Sequence, residues 1–243
     1  GLDFATLGSE ANSDNMAYSS AGSESGYAFQ KKVAPASGGG WDFSFIRRVN
    51  IMLDNIDKSA MTQVDKDHWR SVGYFFRAYR YFELMSAFGD VPWLEHVVSD
   101  ADADILYGKR TARDQVAANI LDNLLWAETH IKPGGDGANT INVHVVRALI
   151  SRFGLFEGTW RKYHGLPDPN KYLEASATAS LALITAFPNI MSSYDDVFNS
   201  EELAGKPGII LFRQYAANEV MHSLTRVIRT SSWFYDLAKD AVE

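Results

Sequence analysis

Apolar residues recur along this chain with helical spacing, and the pattern begins abruptly at Trp41. Phe45, Ile46, Val49, Met52, Leu53 and Ile56 share one stripe, while Asp42, Arg47, Arg48, Asn50 and Asp54 lie on other faces. This spacing predicts an amphipathic helix over about 42–58. A second stripe of Val72, Phe75/Phe76, Tyr79, Phe82 and Met85 predicts a helix over about 64–88 with these aromatics in the core. On it Arg80 and Glu83 stand i,i+3 apart and can pair. Gly89 then offers a left-handed C-cap, and Pro92 forbids continuation.

A third helix is expected from a Thr111 cap, with Asp114 in its first turn, through Val116, Ile120, Leu121, Leu124 and Ala127 to about His130. Pro133–Gly137 breaks the pattern. Two more helices follow: about 142–158, carrying Val143, Val146, Leu149, Ile150, Phe153 and Phe156, and about 170–186, from an Asn170 cap through Leu173, Ala177, Leu181 and Ile184. Ile209–Phe212 reads as strand-like, and 233–241 is ambiguous. Residues 1–40 are rich in Gly, Ser, Ala and Asn and read as an irregular segment ahead of a helical domain over 41–243. The expected fold is all-α, with antiparallel helix pairs joined by irregular loops. The pair 142–158 and 170–186 has tetratricopeptide size but not that repeat's consensus.

Composition narrows the chemistry. The absence of Cys excludes disulfides, Cys-ligated zinc and a thiol nucleophile. A net charge of −7 gives no basic field for nucleic acid or an anionic membrane. No apolar run approaches the roughly 20 residues that span a bilayer. The six His form no H-E-x-x-H set, and there is no G-x-S-x-G elbow, P-loop or G-x-G-x-x-G. Asp100, Asp102 and Asp104 suggest a hard-cation loop, but an EF-hand needs Gly and Glu where Ile105 and Thr111 stand, so a solvated acidic loop is expected. No metal, cofactor or catalytic residue is therefore expected. Thirty carboxylates give no basis for choosing a glycosidase pair.

Sugar rings stack on flat apolar faces, so aromatics outside the stripes are the binding candidates. Tyr18, Tyr27 and Phe29 lie in the Gly/Ser-rich segment, and Trp41 follows Gly40 at the mouth of the first helix. Each could equally anchor its loop to the core.

Two stretches carry a family likeness. "WDFSFIRRVNIMLDNI" and "FFRAYRYFELMSAFGDVPW" resemble the SusD-like (SusD/RagB) family, through Ile46, Arg47, Asn50, Arg77, Ala78, Tyr81, Phe82, Leu84 and Phe88–Pro92. The order downstream is similar too, as far as "ILFRQYAANE". The resemblance implies a SusD-like α/α superhelix of tetratricopeptide-like pairs in a non-enzymatic, surface-exposed outer-membrane lipoprotein. Such a protein would bind an oligosaccharide or other nutrient and partner a TonB-dependent outer-membrane transporter. Its only membrane attachment would be a lipid anchor, for which this chain has no Cys. Family members are about twice this length, so an N-terminal fragment is expected. A helical-repeat interaction scaffold without glycan binding, or a glycoside hydrolase on a helical scaffold, are the alternatives.

Overall fold

The computed structural model describes residues 16–18, 38–216 and 235–237. The chain divides into two compact units. One spans residues 35–212; the other combines 1–34 with 213–243. In the latter, strands β1 (Met16–Tyr18) and β2 (Tyr235–Leu237) form an antiparallel ladder with Ala17 opposite Asp236. There too, the Arg213 guanidinium lies over the Tyr215 ring at 5.5 Å.

The 35–212 unit is helical: α1 (Ser44–Asn55), α2 (Gln63–Phe88), α3 (Ala103–Leu106), α4 (Arg113–His130), α5 (Val143–Tyr163), α6 (Pro169–Ala186) and α7 (Tyr194–Asn199). A 3-10 turn, Ile56–Lys58, extends α1. Helices α1, α2, α4, α5 and α6 pack in sequence order, each against the next. Their cross-contacts run in descending register. Phe76 meets Phe45, and Arg70 meets Asp57; Arg77 meets Asn123, and Tyr74 meets Trp126. Arg113 meets Glu157, and Glu128 meets Arg147, so neighbours are antiparallel throughout.

Local chemistry fixes the ends. Thr62 caps α2 by accepting the Asp65 N–H while its hydroxyl donates to the Asp65 carboxylate at 2.6 Å. Gly89 (φ 73°) ends it, donating to Met85 O. The Asn142 side chain caps α5 through the His144 and Val145 N–H groups. Gly73 lets α1 approach α2, since a Cβ there would sit 2.7 Å from Leu53 and Met52 side-chain atoms. Gly154 does the same between α5 and α6, where a Cβ would lie 2.5 Å from Tyr172 O.

The structure departs from the sequence reading at identifiable points. Thr111 does not cap α4. Its backbone bridges Val91, and the Asp90 carboxylate instead accepts the Arg113 N–H at 2.8 Å. Asn170 is not a cap either: Asp168 (φ 57°) precedes Pro169, whose fixed φ suits the first helical turn. Helix α5 runs five residues past the expected end because Glu157 and Arg161 are buried and paired within it. Ile209–Phe212 belongs to no strand among the described residues. Tyr79 is 44% exposed, although Phe75 and Met85 are core. Helix α2 touches α1, α4 and the segment that follows it, so its buried surface widens past the expected stripe to Ala78, Tyr81 and Leu84 and leaves Tyr79 at its edge. Asn50, placed on a polar face by its type, is fully buried. Arg80 and Glu83 do pair, at 2.9 Å.

Candidate functional site

The Gly-Asp-Val-Pro corner turns out to be the head of a clamped segment, residues 91–97. Val91 and Thr111 exchange backbone hydrogen bonds, and Thr111 Oγ1 accepts the Trp93 N–H. The buried Tyr81 hydroxyl accepts the Leu94 N–H at 2.7 Å and donates to Pro92 O at 3.0 Å. Burial pushes its pKa far above the usual phenol range, so it keeps its proton. Asn50 Nδ2 donates to Leu94 O and His96 O at 2.9 and 3.1 Å. Arg77 Nη1 donates to Glu95 O, and Asp54 accepts the Val97 N–H and meets His96 Nδ1 at 2.7 Å. An irregular strand is thus held by side chains of α1 and α2 where a sheet partner would otherwise be needed.

Arg77 is the centre of the clamp. Its Nε and Nη2 converge on Asn123 Oδ1 at 2.9 and 2.8 Å, and its guanidinium lies over Tyr74 at 4.8 Å and Trp93 at 5.6 Å. It has no carboxylate partner among the described residues, and burial depresses its pKa, opposed by Tyr74 and Glu95.

The segment walls a polar cleft of about 560 Å³, with Asp54, Asp57, Arg70, Tyr74, Arg77 and Glu95 around it. Arg70 Nη2 binds Asp57 at 2.6 Å, and its Nε is buried without a partner among the described residues. Desolvation raises the pKa of Asp54, but the His96 and Val97 hydrogen bonds outweigh it and hold the carboxyl below its usual range. On the other side of Leu94 and His96 lies a cavity of about 250 Å³ with Arg47 and Val98 in its lining. Carboxylates, guanidinia and one aromatic face around an open cleft suit a polyhydroxylated ligand: the ions accept and donate to hydroxyls, and Tyr74 offers an apolar plane. A nearby groove of about 510 Å³ has Asn55 as its one polar lining residue and offers hydroxyls little.

Trp41 lies away from the cleft. It is half-buried, edge-on to Phe43 and Phe88 at 5.3 and 5.0 Å, with the Arg110 guanidinium over it at 4.6 Å. Tyr27 and Phe29 fall outside the described residues, and Tyr18 lies in β1, where only the backbone is described. The sequence reading missed the cleft residues Arg70, Tyr74 and Arg77. The available signal was polar side chains, Asn50 and Arg77, at helix positions that tertiary packing buries. Asp102 accepts from the Ser99 N–H and hydroxyl, and no cluster of three metal-ligating side chains occurs among the described residues. No helix among them is long and apolar enough to cross a membrane.

A search of curated proteins finds no significant match. Solved structures do match. A SusD-like carbohydrate binding protein from Bacteroides fragilis aligns at TM-score 0.72 and 18% identity, over 96% of this chain and 45% of its own. A SusD superfamily protein from Parabacteroides distasonis gives 0.72 at 20% identity, over 96% and 50%. Surface glycan-binding protein A from Bacteroides fluxus gives 0.59 at 17% identity, over 80% and 41%. At such identities the likeness concerns the fold, and the chain spans half or less of those structures' lengths. The SusD-like family described as "Starch-binding associating with outer membrane" matches residues 11–143, more than half of the chain. The chain therefore belongs to the SusD-like family.

Proposed function

We propose that this chain is a glycan-binding component of the outer-membrane surface that captures an oligosaccharide in the cleft beside residues 91–97 and delivers it to a TonB-dependent transporter. The observation that carries the reading is the cleft itself: a rigidly clamped wall facing Arg70, Tyr74, Asp54 and Asp57 across an open volume of about 560 Å³. Family membership supports it, since the family description names starch binding and the outer membrane. The protein acts by binding rather than turnover, held at the surface by a lipid anchor, with the cleft carried by the helical unit of residues 35–212. Trp41, Tyr18, Tyr27 and Phe29 are proposed as separate sugar contacts, Trp41 outside this cleft and through the part of its ring that Phe43, Phe88 and Arg110 leave uncovered. Isothermal titration against starch, laminarin and mucin-type oligosaccharides tests the reading. Saturable binding that Arg70→Ala and Tyr74→Ala weaken about tenfold each supports it, and failure of a folded protein to bind any glycan contradicts it.

A second reading, a helical-repeat scaffold that binds protein and no sugar, is favoured by one observation. Leu155, Tyr163, Leu181 and Ile184 on α5 and α6 are all more than half exposed. Co-purification of a transporter with no glycan affinity would establish it over the first.

A further inference from the structure

Helix α2 carries a different set of side chains away from the polar cleft. Trp69, Val72 and Phe76, at i, i+3 and i+7, share one face and line a separate cavity of about 310 Å³ with Ile141 and Leu211. That volume is at the small end of the roughly 300–1,000 Å³ typical of ligand pockets, room for one ring rather than a chain.

His68 gives this cavity a fixed donor. The residue is 1% exposed and lines the cavity. The Lys132 backbone N–H donates to its Nδ1 at 3.3 Å, so the neutral ring carries its proton on Nε2. Burial and the Lys132 charge both hold the ring neutral, lowering its pKa. Neither His68 Nε2 nor the Trp69 indole N–H has a protein hydrogen-bond partner among the described residues. The His68 Nε2–H lacks a protein partner among the described residues yet reaches the open cavity, so it is available to an incoming acceptor among apolar walls.

The rim is polar and preformed. Asn139, with φ 54°, exchanges two hydrogen bonds with the Phe212 backbone at 2.8 and 3.0 Å. Thr140 Oγ1 donates to Gly137 O and accepts the Asp136 N–H, and the exposed Asp136 carboxylate stands at the mouth. Aromatic faces inside, the His68 and Trp69 N–H donors and a carboxylate at the rim match a pyranose, which has an apolar C–H face and an edge of hydroxyls.

We propose that this cavity is a second ligand site, taking one uncharged pyranose ring against Trp69 and Phe76, with a sugar oxygen accepting from His68 Nε2–H. It shares with the proposed function only the class of ligand, so either can fail alone.

The test is NMR titration of the chain with D-glucose, D-galactose and N-acetyl-D-glucosamine at millimolar concentrations, following the His68 Nε2–H and Trp69 indole resonances. A saturable shift of both is expected for at least one sugar. Trp69→Ala and the cavity-filling Val72→Phe should each weaken it at least tenfold, while Arg70→Ala in the polar cleft leaves it unchanged. The assignment is overturned if none of the three sugars moves the His68 resonance saturably. It is also overturned if Arg70→Ala abolishes the response and the folded Val72→Phe variant, checked by circular dichroism, retains it.

Discussion

The α4–α6 region and the α1–α2 region both bury arginines, and they use them in opposite ways. Between α4, α5 and α6, Glu157 is wholly buried and binds Arg113 and Arg161 at 2.7 Å each, while Arg161 also reaches Asp114 at 3.0 Å. Trp160 and Tyr172 cover the two guanidinia at 4.8 and 4.7 Å. Glu157, Arg113, Arg161 and Asp114 match one another between α4 and α5, with Arg161 Nη1 also donating to Pro167 O, and only the Asp114 carboxylate faces solvent. Between α1 and α2, Arg77 is matched by amides, carbonyls and rings, and what it holds in place is an irregular backbone segment bordering an open cleft. One region uses ions to join helices; the other uses an ion to shape a surface. The difference teaches where to look for binding in a helical fold: where buried polar side chains answer to loop backbone rather than to each other.

The largest effect should come from the closed network. Glu157→Gln removes the buried carboxylate shared by Arg113 and Arg161, leaving Arg161 only Asp114, and urea unfolding should show a loss of about 3–5 kcal/mol. Arg77→Met removes bonds to Glu95 O, Asn50 and Asn123. A smaller loss of about 1.5–3 kcal/mol is expected, together with faster amide exchange at Leu94 and Val97. If Arg77→Met destabilised more than Glu157→Gln, or left exchange in 91–97 unchanged, the contrast would be broken.

Gly154→Ala probes the α5–α6 contact alone. Its Cβ would meet Tyr172 O and Ser176, and about 1–3 kcal/mol should be lost with no change in the cleft or in glycan affinity. The mildest effect is pH-dependent. His68 and His144 have pKa values held below the ordinary 6.5, chiefly by burial. The unfolded chain then binds more protons than the folded one just below that value, so stability is full above it and declines as pH falls through it. Replacing both histidines with Gln should flatten the decline in unfolding free energy between about pH 6.5 and 5; an unchanged slope would place it elsewhere.

How much of this was legible beforehand differs by region. Helix existence and order follow from stripes such as Val116, Ile120, Leu121 and Leu124, all buried as the periodicity implies. Helix starts were harder to read, because Asp90 caps α4 from 23 residues away and no local rule carries that information. The Gly89–Pro92 stop was readable as a terminator, yet its larger role needs the partners Tyr81, Asn50 and Thr111, which only the fold assembles. The aromatics chosen for binding lay outside the stripes, whereas the cleft draws Tyr74 and Arg70 from within a helix, on a face that looked like ordinary solvated surface. Arg77 and Asn50 were visible as family-like positions, but their burial came from the segment that folds back over them.

The most direct test of the central claim, that the clamped segment walls a glycan site, is isothermal titration of one oligosaccharide that binds the unaltered chain against Arg70→Ala, Tyr74→Ala and Arg77→Met. The account predicts about a tenfold loss of affinity for each of the first two, with some stability lost for Tyr74→Ala because its ring packs on Trp126 and Arg77, and a loss for Arg77→Met that accompanies faster exchange in 91–97. Unaltered affinity in all three folded variants would contradict it.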